Sequence, residues 1–427
     1  MKRSGVVVLL LGVLLNQWVL SALYPADGMH LFRLLEKSQG SWGLASCLLI
    51  WACDLALVLF GGVMIRYQRD RRKAVQVTVT VMLVFVVLSG ALEGAARLLT
   101  REGIFSPFIQ LRPYNKMELK VALKGVAPFA RNTTDKWGFR GDDPPADWDD
   151  YLTIVAIGGS TTQCYYLDDS KTWPYLLQVK LRKAGVKAWV GNAGISGHSS
   201  RAHVLFVRDI LPRVKPKIAI ILCGINDLWY SLQEKASKVD YSPETVGWKN
   251  KLLGYSRLVQ VLYLWKIILW DHVVVLEKGG NDNFVPRPIG KELILSSDLS
   301  ETLPSLLPYK QNLHIMIKEL RKQNIRPIFL TQPVLFDTTA PWKVIVGADF
   351  SYGGKKGEIS AATDAELLSC FNNTLASVCR EEHAELFDLA GRIPHSDLYF
   401  YDTMHFTELG ADTVSSLIAA YMVSHPR

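Results

Sequence analysis

Two kinds of hydrophobic patterning divide the chain near residue 100. Before it lie three long apolar stretches, Val6 to Tyr24, Trp42 to Ile65 and Ala74 to Leu98. Each has roughly the 20 residues that cross a bilayer as a helix. After it the apolar residues come in short runs suited to buried strands: Leu152–Ile157, Ala188–Gly191, Ile218–Leu222, Pro327–Thr331 and Ala384–Phe387. Helical periodicity fills the intervals at Thr172–Ala184, Arg201–Arg213, Tyr309–Gln323 and Ala365–Glu382, with a last helix at Leu409–Val423. The alternation predicts βα units around a parallel sheet covered on both faces, a three-layer α/β/α domain.

The division that follows is an anchor with three transmembrane helices over 1–100, a connecting segment over 101–150 and an α/β domain over 151–427. The connecting segment is rich in Pro, Gly, Asp and Trp and shows no sustained periodicity. An insertion, 231–307, separates the third strand from its next helix. Within it Leu252–Trp270 is apolar and aromatic, yet too interrupted by Lys, Arg and Gln to span a bilayer. Three readings are open for it: a lid, a membrane-surface helix, or a helix packed on the core. Phe336 to Thr363 follows the fourth strand and is expected to be a loop that shapes a pocket.

Charge sets the orientation. Arg66, Arg69, Arg71, Arg72 and Lys73 follow the second apolar stretch, and Lys2 and Arg3 precede the first. By the positive-inside rule both groups are cytoplasmic, so the third helix delivers everything after about Arg101 to the far side. A signal-peptide reading of the first stretch, with cleavage at Leu20-Ser21-Ala22, leaves that location unchanged. Asp54 and Glu93 are the acids within the apolar stretches, and Glu93 is expected at the outer interface. The net charge of +8 is partly this anchor, and no interleaved basic and aromatic stripe points to nucleic acid. No CxxC pair or His cluster has metal-site spacing. Cys370 and Cys379 fall on opposite faces of a predicted helix about 13 Å apart, beyond the roughly 7 Å a disulfide bridges, so free thiols are expected.

Four short blocks carry candidate chemistry: Gly158-Gly159-Ser160-Thr161, Asn192-Ala193-Gly194-Ile195-Ser196-Gly197, Gly224-Ile225-Asn226-Asp227 and Asp402-Thr403-Met404-His405. Together they supply what acyl transfer needs. A weak alcohol nucleophile needs a base, and the base needs an orienting group. The developing oxyanion needs pre-aimed donors. Ser160 fits the nucleophile, His405 the base and Asp402 the orienting carboxylate. The Ser160 and Gly197 backbone N–H groups and the Asn226 side-chain amide fit an oxyanion hole. The first three blocks fall just after strands one, two and three, where α/β sheets place their sites. Cys164 is a rival nucleophile without its own base, and Asp227 fits a turn. His198 adjoins the second block, while His203, His314, His383 and His395 default to surface or core. Asn132 and Asn372 open glycosylation sequons.

The order and context of the blocks resemble the SGNH (GDSL-like) hydrolase superfamily over roughly residues 135–425. Gly159 stands where that family usually has Asp, as in membrane-associated, exopolysaccharide-linked relatives. Trp137-Gly138-Phe139-Arg140-Gly141 resembles an element preceding the first strand in bacterial members, where Arg140 either binds substrate or packs in an ion pair. The resemblance implies a flavodoxin-like sheet and a serine esterase without metal or organic cofactor; the apolar stretches and the charge pattern anchor it in the inner membrane with its domain in the periplasm. Its implied partners are the bilayer, an acylated, often acetylated, carbohydrate or other ester, and further members of a membrane complex. Two alternatives remain: an O-acyltransferase acting on an exported polysaccharide or cell-wall polymer, and a non-catalytic binding or scaffold subunit.

The orientation is testable with reporters. Alkaline phosphatase fused after Arg427 is expected to be active and a green fluorescent protein fusion dark. A fluorescent fusion would reverse the topology.

Overall fold

The computed structural model describes residues 109–233, 302–337 and 354–426, the helix at Arg71–Leu99, and short pieces including 257–262, Val274–Lys278 and Ile345–Tyr352. The first predicted membrane stretch, nearly all of the second and most of the aromatic segment Leu252–Trp270 lie outside the described residues. The chain divides into two compact units. One is Met1–Ser106 with Gly247–Asp271, and the other is Pro107–Val246 with His272–Arg427.

In the first unit α1 (Arg71–Leu99) contains one stretch, Val75–Leu98, that is long and apolar enough to cross a membrane, with a mean hydropathy of 2.3. Its side chains at Val79, Met82, Leu83, Phe85 and Val87 are exposed. Glu93 is not merely an interfacial acid. Its carboxylate accepts the Ser256 hydroxyl and the Arg257 and Leu258 backbone N–H groups, and it pairs with Arg97 at 2.7 Å. The carboxylate thus caps the short helix at 257–262, meeting donors that a helix start leaves open.

The second unit begins with β1 (Lys116–Val121) and β2 (Phe129–Thr133), paired antiparallel. They fall in the stretch read from sequence as a connecting segment. β1 alternates, with Leu119 and Val121 buried and Lys116, Glu118 and Lys120 exposed. Such a strand carries a period-two signal only three repeats long. The parallel sheet then follows. β3 (Leu152–Gly158) leads through the short α2 (Ser160–Gln163) to α3 (Trp173–Lys183) and β4 (Ala188–Asn192). Next come α4 (Ser200–Asp209), α5 (Leu211–Val214), β5 (Ile218–Leu222) and α6 (Ile225–Ser231). β6 (Val274–Lys278) pairs parallel with β1. The chain continues with α7 (Leu306–Lys322), β7 (Arg326–Leu330), the antiparallel pair β8 (Ile345–Tyr352) and β9 (Lys355–Ser360), α8 (Ala361–Glu381), β10 (Glu385–Phe387) and α9 (Glu408–Ser424).

The main sheet runs β10-β7-β5-β3-β4, parallel throughout. Numbered by their order along the chain, its five strands read 2-1-3-4-5 across the sheet, the flavodoxin-like arrangement whose switch point lies between the first and third strands. Alternate residues face opposite layers. Val155, Ile157, Ala219, Ile221 and Phe329 pack with α4, α7 and α8. Ile154, Ala156, Ile220 and Leu330 pack with Trp173, Leu177 and Leu181 of α3 and Val414 and Ile418 of α9. The segment expected as a pocket loop after β7 instead forms the β8–β9 pair, turning at Gly354 with φ +73°. Cys370 and Cys379 on α8 are free.

Asp364, buried in the first turn of α8, has an Oδ1 without a partner among the described residues. Burial pushes its carboxyl up to about 7, with the Trp229 side chain opposing. An acid whose folded value is raised keeps a proton that the unfolded chain loses, so stability falls as pH climbs from about 4 to about 7. Asp364→Asn cannot ionise and is expected to flatten that fall. Urea unfolding at pH 5 and pH 8 measures it, and an unchanged pH slope would refute the assignment.

Candidate active site

The site grows from the turn between β3 and α2. Gly159 precedes Ser160, which opens a helix of only four residues that ends at Cys164 in the left-handed region, φ 51°. The turn is made without room for side chains. A Cβ at Gly158 would lie 2.1 Å from the Thr162 hydroxyl, and one at Gly194 would lie 2.2 Å from the Gln163 backbone nitrogen. At Gly159 it would lie 2.6 Å from the Asn226 amide nitrogen. Gly at 159 therefore admits the Asn226 side chain close to the Ser160 turn.

The carbonyls at the end of α2 are held from far away in sequence. Arg140, its side chain fully buried, donates to Gln163, Cys164 and Leu167 carbonyls and pairs with Asp169 at 3.0 Å. The Trp173 indole donates to the Thr161 carbonyl. Of the two roles open for Arg140, the structure shows the packed ion pair. Burial raises the Asp169 carboxyl, and Arg140 opposes that shift.

His405 arrives from the loop before α9. Its Nε2 lies 2.7 Å from the Ser160 hydroxyl and its Nδ1 lies 2.6 Å from Asp402 Oδ2. Asp402 Oδ1 also accepts the Met404 and His405 backbone N–H groups at 2.9 and 2.7 Å. Burial works to raise the Asp402 carboxyl, but the His405 ring and these N–H groups outweigh it and hold it below its ordinary value. Asp402 is thus kept as a carboxylate facing the ring.

The other two blocks meet the same turn. The Ile195 N–H bonds the Gly158 carbonyl, and Gln163 Oε1 accepts both the N–H and hydroxyl of Ser196. Gly197 takes φ +79°, which its lack of a Cβ permits, and its carbonyl accepts the Tyr230 hydroxyl at 2.5 Å. Asn226 Nδ2 donates to the His198 carbonyl at 2.8 Å. That bond fixes the amide and takes one of its two N–H donors. All five motif positions therefore converge on one end of the sheet.

A cavity of about 450 Å³ opens beside Ser160, Asp402 and His405, lined also by Ser196, Tyr165, Tyr166 and Tyr401. The tyrosines were not anticipated. The one signal in the sequence that bears on them is the Tyr165-Tyr166 pair so soon after Ser160. The rival thiol is disposed of: Cys164 is buried and its thiol is pushed up to about 11. His203 is buried and held neutral, its value pushed down to about 3 by burial and by His198. Asp227 organises its turn by accepting the Ser200 N–H and hydroxyl. His314 bonds Glu382 and His395 bonds the Val334 carbonyl. The sequon amides are engaged inside the fold, Asn132 with the Tyr165 carbonyl and Asn372 with the Gln332 backbone. Among the described residues no group of three His, Cys, Asp or Glu forms a metal cage.

Residues 156–263 match the model of the GDSL-like lipase/acylhydrolase family, a stretch that holds the first three blocks. A curated relative, esterase TesA of Pseudomonas aeruginosa, is 31% identical over 107 residues, 24% of this chain. The chain spans about half the length of that relative, 53%. Solved structures also align. A G-D-S-L family lipolytic protein of Desulfitobacterium hafniense does so at 14% identity and TM-score 0.35, over 63% of this chain and 98% of its own. The lipase/acylhydrolase of Enterococcus faecalis does so at 15% and 0.37, over 64% and 96%. Over residues 156–263 the chain is similar to the GDSL-like lipase/acylhydrolase family.

The buried Arg140–Asp169 pair gives a stability test. Arg140→Met leaves Asp169 buried without its buried counter-charge, with the exposed Arg131 at 3.9 Å and the Thr133 donors remaining, for an expected loss of about 3 kcal/mol. Chemical denaturation of wild type and variant reads it, and a loss within error of zero would show that the pair is dispensable.

Proposed function

We propose that this chain is a serine ester hydrolase. The observation that carries the reading is the unbroken chain Asp402–His405–Ser160, with contacts of 2.6 and 2.7 Å. His405 Nε2 takes the Ser160 proton as the oxygen attacks an ester carbonyl. Asp402 at Nδ1 holds the ring in the tautomer that leaves Nε2 free and stabilises the imidazolium that forms. The oxyanion is received by the Ser160 and Gly197 N–H groups and the remaining Asn226 N–H. Collapse expels the alcohol, protonated by His405, and leaves an acyl-Ser160. Water activated by the same His405 then releases the acid.

The finer reading places this chemistry outside the cytoplasm on short acyl esters, acetyl above all, of a carbohydrate. Support for the location comes from the apolar Val75–Leu98 stretch and the bases Arg66 to Lys73 before it. Support for the small acyl group comes from the described residues that line the cavity, none of which carries a long aliphatic side chain.

Purified protein is expected to hydrolyse a small acetyl ester and to be labelled at Ser160 by a fluorophosphonate. Ser160→Ala should abolish both. Asn226→Ala loses one oxyanion donor, at about 10²–10³ in kcat. Asp402→Asn frees the wrong tautomer, and its loss should approach about 10⁴. A folded protein that neither reacts with the probe nor turns over any short ester would sink the reading.

A further inference from the structure

We propose that Tyr165, Tyr166 and Tyr401 form a subsite that binds the alcohol part of the substrate as a hydroxyl-rich six-membered ring, a pyranose. The proposal rests on the ester-hydrolase reading above and names the substrate feature that its pocket selects.

The three rings form a continuous row that ends on His405. Tyr165 and Tyr166 meet edge to face, with centroids 5.1 Å apart at 88°. Tyr166 and Tyr401 do the same at 6.1 Å and 69°. Tyr401 then lies parallel to the His405 ring, 5.5 Å away at 9°. All three tyrosines line the cavity that opens at Ser160. A ligand held on this row therefore has its ester within reach of the proposed nucleophile and base.

The chemistry of the lining narrows the ligand. A tyrosine offers a negatively polarised ring face and a polar hydroxyl tip. A pyranose has the complementary pattern, C–H groups on its ring faces and hydroxyls around its rim. Among the described residues the lining holds no Lys or Arg, and Asp402 contributes a negative charge. A phosphorylated or otherwise anionic alcohol therefore meets no counter-charge from these residues, and a long acyl chain meets no aliphatic side chain among them.

The wall is also rigid. Tyr401 belongs to a separate hydrophobic cluster with Leu119, Val121, Leu123 and Ala130, and Tyr165 and Tyr166 pack against it. The Tyr165 carbonyl accepts the Asn132 amide, and its hydroxyl meets the Met117 sulfur at 3.8 Å. β1 and β2 thus buttress the tyrosines from behind, outside the parallel sheet. A platform ordered before the ligand arrives spares the ordering cost at binding.

The test compares kcat/KM for methyl 6-O-acetyl-β-glucopyranoside and for ethyl acetate, which share the acetyl group and differ in the alcohol. In full-length protein the ratio of the two should fall about tenfold in Tyr166→Leu and in Tyr165→Leu, and should survive in Tyr166→Trp. A ratio unchanged in both folded leucine variants would overturn the subsite. So would faster turnover of p-nitrophenyl decanoate than of p-nitrophenyl acetate, which would seat an acyl chain on the wall. A binding measurement covers variants that do not fold. Saturation-transfer NMR on Ser160→Ala with methyl 6-O-acetyl-β-glucopyranoside should saturate the sugar ring protons most strongly. Absent saturation of those protons overturns the proposal whatever the variants do. Failure of wild type on every ester would refute the hydrolase reading, while ring-proton saturation in Ser160→Ala would still uphold the subsite.

Discussion

A helix of four residues cannot satisfy its own carbonyls, and the whole site depends on how α2 solves this problem. Its hydrogen-bond ladder closes only twice, Gln163 N–H to the Gly159 carbonyl and Cys164 N–H to the Ser160 carbonyl, and then stops. Orphaned carbonyls inside a protein cost as much as lost hydrogen bonds. Arg140 donates to the Gln163 and Cys164 carbonyls at the helix end and to the Leu167 carbonyl just beyond it, and Asp169 offsets the cost of burying the guanidinium. Asp169 is in turn anchored by the Thr133 N–H and hydroxyl on β2. The position of the Ser160 hydroxyl is therefore fixed by a chain of polar contacts reaching back to β2, not by the helix that carries it. Arg suits this place because its five donors fan out in one plane.

The sheet order supplies the other half of the geometry. β3 lies between β4 and β5, so the chain leaves β3 and β5 toward opposite faces and opens a crevice at their carboxyl ends. Ser160 and Asn226 are the residues presented there. The β4 loop closes over the same point through Ile195 and Ser196. Asp402 and His405 need no sheet of their own. They are three residues apart, and Asp402 ties down the backbone N–H of His405 as well as its ring. That pair forms as one local unit and needs only to be delivered to Ser160, 245 residues away in sequence. Delivery falls to α9, whose Ala411, Val414 and Ile418 are fully buried against the sheet.

This division explains what the sequence made legible. β3, β4 and β5 are continuous apolar runs with no alternative reading, and each of the four blocks is local enough to carry its own spacing. β2, by contrast, reads Phe129-Ala130-Arg131-Asn132-Thr133, largely polar, because its role is to hold Asp169 and back the tyrosines rather than to fill a core. The role of Arg140 was open because its partners are mostly backbone carbonyls, which no side-chain pattern reports. The β8–β9 pair was read as loop for a related reason. Lys355 and Lys356 are exposed at its start, and only Gly357 to Ser360 turn inward. The tyrosine row draws on positions 165, 166 and 401, so it exists only once the fold has brought two distant segments together.

The same contacts that orient His405 also determine how the site bears acid. Asp402 gains its charge-stabilising partners only in the folded chain, so its carboxyl sits below its ordinary value there and near that value when unfolded. The stability it contributes is present above the unfolded value and is lost as pH falls through the folded one. Around neutrality both the orienting charge and its contribution to the fold are therefore in place together. Function and stability are coupled at this residue, whereas at Asp364 they run apart, since its buried carboxyl is most comfortable protonated. The two acids differ in one physical respect: Asp402 has a cationisable ring and two N–H donors aimed at it, and Asp364 has an oxygen with no partner among the described residues.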